Sequence, residues 1–222
     1  MDALLRRRAM IASGGSPTPP PPSLVFYDRL SFDGTAYIDT DITPGGNDSY
    51  RVYLGNESVK ASQTIFIVPA SSYRIGVIYG SATTSTERNF SIYYGASSAV
   101  STGKKLAFSY AEYGFFITPN GFGYGTTFNS FTKGNTGPSG PLVLGNNASH
   151  DASRPYTGTM GTFYIYGSDA QNCQTNGAFD NYTPTHTLRP CTYLGELGLW
   201  CVETSTFYGN SAGTGTLSVY NI

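Results

Sequence analysis

LSFDGTAYIDTDITP, residues 30–44, is the stretch whose reading decides the fold. Leu30 and Phe32 alternate with polar neighbours, Asp33-Gly34 interrupts them, and Tyr37 and Ile38 resume the apolar pattern. A period of two places alternate side chains on opposite faces of a strand. An Asp-Gly pair between two such runs signals a turn, because glycine enters positive φ without steric cost and an aspartate bonds the backbone that follows it.

The same grammar runs outward in both directions. Strands are predicted at YRVYL (50–54), TIFIV (64–68), YRIGVIY (73–79) and NFSIYY (89–94). KLAFSY (105–110) and FFITPNGFGYG (115–125) read as a hairpin turning on Pro119-Asn120-Gly121. PLVLG (141–145), GTMGTFYIYGSD (158–169), LGLWCV (197–202) and GTLSVYN (215–221) follow. About eleven strands with regular turns and no helical period between them predict an all-β, antiparallel sandwich or barrel.

Composition agrees. Charged residues make up 12% of the 222, about half the usual ~25%, while aromatics reach 14% and glycines number 27. Aromatic and β-branched side chains suit a half-buried pleated face, and glycine suits many turns. The net charge is −1; setting aside Asp2, Arg6, Arg7 and Arg8 leaves 10 basic and 13 acidic residues, a body at −3. Beyond residue 8 the densest basic feature is Lys104-Lys105, too little for a nucleic-acid groove, so no nucleic-acid partner is expected. The longest apolar run falls far short of the ~20 residues of a membrane span.

The chain divides into three parts. Residues 1–12 carry Leu4, Leu5, Arg6, Arg7, Arg8, Met10 and Ile11, a basic and apolar arm with helical spacing that is too short to hold alone in water. Residues 13–23, SGGSPTPPPPS, are a Gly/Ser/Pro linker; a polyproline tract rises ~3.1 Å per residue, so it spans roughly 30 Å. Residues 24–222 form the β-domain. A secretory signal is not expected, since only Ala9–Ala12 follow the arginines as an apolar stretch.

Chemistry is sparse. Gly209-Asn210-Ser211-Ala212-Gly213 matches G-x-S-x-G, but a strand rather than a helix follows, and His150 and His186 both precede it. The glutamates Glu57, Glu87, Glu112, Glu196 and Glu203 are scattered. Asp39 and Asp41 share a strand face, read as edge polarity rather than a catalytic pair. No enzymatic activity, catalytic residue, cofactor or metal is therefore expected. Cys173, Cys191, Cys201 and His186 lack a zinc clip, and the three cysteines read as buried free thiols. Asp33, Asp39, Asp41 and Asp48 are the oxygens a calcium ion would draw on. Eighteen tyrosines and one tryptophan offer faces for sugar stacking, although tyrosines on strands, such as Tyr93, Tyr94 and Tyr124, fill cores more often. The five N-x-S/T sequons, at Asn47, Asn56, Asn89, Asn147 and Asn181, sit near the frequency expected by chance.

Several stretches resemble the laminin-G-like, concanavalin A-like jelly rolls. LSFDGTAYIDTDITP is similar to their opening strand pair, FITPNG to a mid-chain hairpin, GTFYIYGSD to a late strand, and LRPCTYLGELGLWCVETSTFYGNSAGTGTL to the closing segment. The resemblance covers nearly all of residues 25–221. One departure stands out: Cys201 follows Trp200 where the group commonly has an acidic residue. The resemblance implies an antiparallel jelly-roll sandwich, and this superfold hosts lectins, hydrolases, adhesion modules and virion proteins alike.

A jelly roll of this subtype behind an arginine-rich leader further resembles virion proteins of gut bacteriophages and surface proteins of Bacteroidetes. What this implies is a head-fibre or capsid-decoration protein on the virion exterior. Leu4, Leu5, Met10 and Ile11 would bury apolar surface on a capsid protein, and Arg6–Arg8 would pair with its acidic groups. A homo-oligomer, with a trimer favoured, would multiply the weak arms through effective concentration. The alternative is a lectin-like module for host-surface glycans, at the bacterial cell surface or on the same particle.

Overall fold

A computed structural model describes residues 23–55, 63–70, 73–82, 87–96, 99, 101–107, 113–124, 127–147, 149–150, 154–212 and 214–220. In chain order their strands are β1 (Leu24–Phe26), β2 (Arg29–Asp33), β3 (Ile38–Asp39), β4 (Ser49–Gly55), β5 (Thr64–Ala70), β6 (Tyr73–Ala82), β7 (Glu87–Ala96), β8 (Ser101–Ala107), β9 (Tyr113–Thr118) and β10 (Gly121–Tyr124). They continue with β11 (Thr127–Ser130), β12 (Val143–Leu144), β13 (Thr157–Tyr166), β14 (Pro184–Tyr193), β15 (Glu196–Cys201), β16 (Thr206–Gly209) and β17 (Leu217–Tyr220). Two 3-10 turns, Ser168–Asn172 and Asn176–Asn181, are the helical segments among the described residues.

All strand pairs are antiparallel, and they make two sheets. The larger runs β11-β10-β9-β4-β13-β14-β15-β16, with β1 also on β14 and with β2 between β13 and β17. The smaller runs β3-β12-β5-β6-β7-β8. The architecture is an all-β antiparallel jelly-roll sandwich.

The sheets face each other through aromatic and branched side chains. Tyr50, Val52 and Leu54 alternate inward along β4, and Phe115 and Ile117 do so along β9; all are at most 1% exposed. Opposite them β5 is buried on both faces, with Ile65, Phe66, Ile67 and Val68 at most 4% exposed. Rings join the layers: Phe66 of β5 meets Phe163 of β13 edge-on at 5.0 Å and Tyr50 of β4 at 5.5 Å. Burying such a ring is worth roughly 1.5–3 kcal/mol, and edge contacts add about 0.5–1.5 kcal/mol. A smaller cluster, Phe116, Tyr166, Ala170, Cys173 and Phe179, lies where the two 3-10 turns cover one end of the larger sheet's outer face.

Two expectations are corrected by this topology. The opening Asp33-Gly34 pair does not join partners: β2 bonds to β13 and β17 in the larger sheet, whereas β3 bonds to β12 in the smaller. Asp33 Oδ1 accepts from Thr35 N at 2.8 Å and Ala36 N at 2.9 Å, and Gly34 takes φ 89°, so the turn redirects the chain from one layer to the other. The segment expected at 105–110 likewise does not form a hairpin with 115–125. Its described part, 105–107, belongs to β8, which pairs with β7 in the smaller sheet, and the hairpin is β9–β10, closed at Pro119-Asn120. Both Asp-Gly and Pro-Asn-Gly are genuine turn chemistry; the partner across a turn is set by which layer buries the apolar face, which local residues do not encode. The strands also outnumber the prediction: β1, β11, β14 and β16 lie outside the stretches read as strands, β14 among residues interrupted by Pro184 and Pro190.

Candidate functional site at the sandwich rim

The last strand of each sheet meets the other along one edge. β16 ends the larger sheet and β3 ends the smaller, and the two are neighbours. The turn after β16 ties them: Ser211 N donates to Tyr37 O at 2.8 Å, and Asp39 N donates to Ser211 Oγ at 3.0 Å. Asn210 Oδ1 accepts from Ala212 N at 3.1 Å and its amide donates to Gly215 O at 3.0 Å, which holds that turn in shape. On the outer side the His150 ring stacks on Tyr37 at 4.3 Å, and its Nε2 meets Asp39 Oδ1 at 2.9 Å.

Next to this cluster a cleft of about 270 Å³ opens between β16 and the segment after β3, lined by Asp41, Ile42, Thr43, His186, Thr204, Thr206 and Tyr208. All but Ile42 carry a hydrogen-bonding side chain. The Tyr208 hydroxyl donates to Asp41 Oδ1. Burial, followed by the neighbouring Asp41 carboxylate, pushes this phenol well above its ordinary range, so it remains a neutral donor. Thr204 Oγ1 donates to Thr206 Oγ1 at 3.0 Å. His186 Nδ1 lies 3.3 Å from Thr185 Oγ1. The second Asp41 oxygen and His186 Nε2 have no hydrogen-bond partner among the described residues, so an acceptor and a ring nitrogen remain for a ligand.

Beside the cleft, Glu203 locks β14 to the β15–β16 turn: its carboxylate accepts from Thr187 N at 2.6 Å and Thr187 Oγ1 at 2.7 Å. Cys201 Sγ approaches the same carboxylate at 3.7 Å. The acidic residue absent directly after Trp200 is thus met two positions later by a structural glutamate.

The four aspartates considered for calcium go to separate tasks. Asp33 accepts from Thr35, Ala36 and Thr216 backbone amides. Burial would raise its carboxyl, but those hydrogen bonds more than reverse this and lower it. Asp39 holds His150 and Asp41 holds Tyr208, so the two do not act as a pair. Asp48 Oδ2 accepts from Gly45 N at 2.7 Å, and burial raises its carboxyl. Among the described residues no three His, Cys, Asp or Glu side chains converge. Cys173, Cys191 and Cys201 are buried and unbonded to one another, and the zinc set is not assembled.

Ser211 does sit near Asp39 and, through it, His150, but its hydroxyl is engaged by a backbone amide and the imidazole faces the carboxylate instead. Tyr94 is buried with its hydroxyl donating to Asp48 O, Arg74 lies over the Tyr93 ring at 4.7 Å, and Tyr124 packs against the core. Arm residues Leu4, Leu5, Arg6, Arg7, Arg8, Met10 and Ile11 lie outside the described residues, as do the side chains of Glu57, Glu87 and Glu112. The cleft residues other than Asp41 and His186 were not singled out by sequence. They come from residues 41–43, 186 and 204–208, and no local pattern announces that these meet.

No family model matches the chain, and no curated protein matches it. Among solved structures it overlays on a "putative carbohydrate binding protein" from Bacteroides ovatus, with 11% identity and a TM-score of 0.59, covering 89% of this chain and 61% of that one. It overlays more loosely on a heptameric SAP-like pentraxin from Limulus polyphemus, with 11% identity, a TM-score of 0.49, and 67% and 83% of the two chains covered. For the mouse laminin α1 LG4-5 domains the values are 9%, 0.40, 82% and 50%. The chain spans about three fifths of the Bacteroides protein, and at this identity the likeness establishes the fold alone.

Proposed function

We propose that this chain is a glycan-binding jelly-roll module without catalytic machinery, and that it takes the end or a side ring of a sugar chain into the rim cleft. The observation that carries this reading is the lining: one carboxylate, one imidazole, a tyrosine hydroxyl and three threonine hydroxyls around a space of about 270 Å³ with a single aliphatic residue. A sugar ring presents alternating donors and acceptors with small apolar faces. Such a ligand can bond the exposed and half-buried polar groups of this lining in place of water, and a site built to bond hydroxyls rejects ligands lacking them. The Bacteroides ovatus protein, itself named for carbohydrate binding, points in the same direction.

A glycan array probed with the full chain, followed by calorimetry on the hits, tests this reading. Asp41→Ala should weaken binding at least about tenfold, because it removes a charge-assisted hydrogen bond. A silent array, or hits indifferent to Asp41 and Thr206 substitution, defeats it. The arginine-rich leader and proline tract favour a second reading, in which this module is carried on a virion. A chain starting at Leu24 would then fold but be lost from the particle, whereas full occupancy by the shortened chain would refute the anchoring role of Leu4–Ile11.

A further inference from the structure

The outer face of β14–β16 carries a row of features that the rim does not use. Along the β14–β15 hairpin the outward pairs are Arg189 with Trp200, Cys191 with Gly198, and Tyr193 with Glu196. β16 adds Phe207 opposite Trp200, and β1 adds Phe26 opposite Cys191. The Tyr193 ring lies 5.3 Å from Trp200 and 5.5 Å from Phe207. These rings converge over Gly198, where a Cβ would come within 2.8 Å of the Phe207 ring. The result is a low aromatic platform that is only partly covered.

Both ends of β15 add apolar surface beside it. Of the large hydrophobic residues that stand exposed among those described, Leu194 at 71% and Val202 at 45% occupy the turns before and after this strand. Leu194 is held at φ 52°, followed by Gly195 at φ 88°. A two-residue turn of this kind favours Asn-Gly; a leucine in the left-handed region is strained, and here its side chain is left largely uncovered within the protomer. Aromatic and arginine enrichment with lysine depletion is the composition of protein interfaces rather than of plain surface.

Charge identifies the occupant. β1, β14, β15 and β16 together hold one arginine, Arg189, and one carboxylate, Glu196. Arg189 is partly buried with its guanidinium 4.0 Å over Phe26, and Asp28, between β1 and β2, is near enough to act on its charge; among the described residues neither Arg189 nor Glu196 makes an ion pair or a hydrogen bond. They point the same way from opposite ends of the platform, four residues or about 13 Å apart along the strand direction. A two-fold axis lying across the strands, in the plane between two copies, brings Arg189 of each onto Glu196 of the other. Such a contact is isologous and closed.

We propose that this face is a dimer interface, occupied by a second copy of the chain: aromatic platforms pack at the centre, Arg189–Glu196 pairs form at both ends, and Leu194 is covered at the border. This differs from the trimer that the leader suggests, and it is independent of the glycan reading.

Sedimentation equilibrium of the full chain across a concentration series tests it. The wild type should be a dimer; Arg189→Glu and Glu196→Arg should each raise the dissociation constant at least about tenfold, and the charge-swapped double variant should recover the dimer. Recovery traces the loss to the charge pairing, and circular dichroism melts check that each single variant is folded. Asp41→Ala should leave the dimer intact. A monomer at every accessible concentration, a trimer, or a dimer indifferent to the reversals overturns the proposal. So does a monomer whose Trp200 fluorescence is quenched by polysaccharide, which would give this face to a glycan instead.

Discussion

Asp39 and His150, 111 positions apart, meet at 2.9 Å on the rim while the imidazole lies flat on Tyr37, with ring planes 11° apart. This contact pins the 149–150 turn over β3. Both side chains are more than a third exposed, so solvent screens the pair and its worth falls in the range of about 0–1 kcal/mol. His150→Ala should therefore lower the thermal midpoint by a few degrees at most; a loss of several kcal/mol in urea unfolding would mean that the ring supports far more than its own turn.

The core makes the opposite prediction. Phe66 is fully buried and touches rings from both β4 and β13. Phe66→Ala removes the bridge between layers and should cost about 3–5 kcal/mol by urea unfolding. A cost under about 1 kcal/mol would show that the layers close without it.

Arg51 is a buried cation on the outer face of β4, with side-chain exposure of 4%. Its guanidinium donates to Asp180 Oδ1 at 3.0 Å and to the Tyr53 hydroxyl, which fastens the Asn176–Asn181 turn to the sheet. Asp180→Ala leaves that charge with less compensation. The expected cost is about 2 kcal/mol, together with faster hydrogen exchange in residues 176–182 while β4 stays protected.

Asp33 carries a pH dependence whose sign follows from its lowered folded-state pKa. Its contribution is present above the ordinary value of 3.8 and is lost as pH falls from there through the depressed folded value. Asp33→Asn should flatten the acid limb of the stability curve measured by urea unfolding between pH 6 and pH 2, at some cost in stability at neutral pH. An acid limb unchanged by the substitution would remove Asp33 as a source.

Cys191 lies beneath Phe26 and Arg189, and burial pushes its thiol up to about 12 despite the opposing guanidinium. Since Cys173 and Cys201 are also buried, native protein should react slowly with a thiol reagent and should release its full thiol count only on unfolding. Fast labelling of Cys191 in the native state would contradict the packing of β1 on β14.

The fold was legible wherever a strand buries one face, because alternation then survives in the residues themselves: Tyr50, Val52 and Leu54 on β4 are an instance. Pairing was not legible. Asp33-Gly34 has hairpin chemistry, yet its flanking strands lie in different layers, since the partner that buries Phe32 is β13 and arrives much later in the chain. The rim cleft was legible only in part. Asp41 and His186 could be flagged as chemistry-bearing, but Thr204, Thr206 and Tyr208 are ordinary strand-end residues until β16 lies beside β3. The Arg189–Glu196 relation is likewise invisible before strand register puts both side chains on one face.

The position of β2 between β13 and β17 has a consequence for biogenesis. As the chain leaves the ribosome, Leu30 and Phe32 are synthesised long before either neighbour that will shield them, so they must wait in solution or in temporary company. Such late-closing, non-local pairing slows acquisition of structure and prolongs the interval in which exposed strand edges can capture one another. Yield from a cell should accordingly respond to chaperone supply and growth temperature more strongly than the stability of the finished sandwich would suggest.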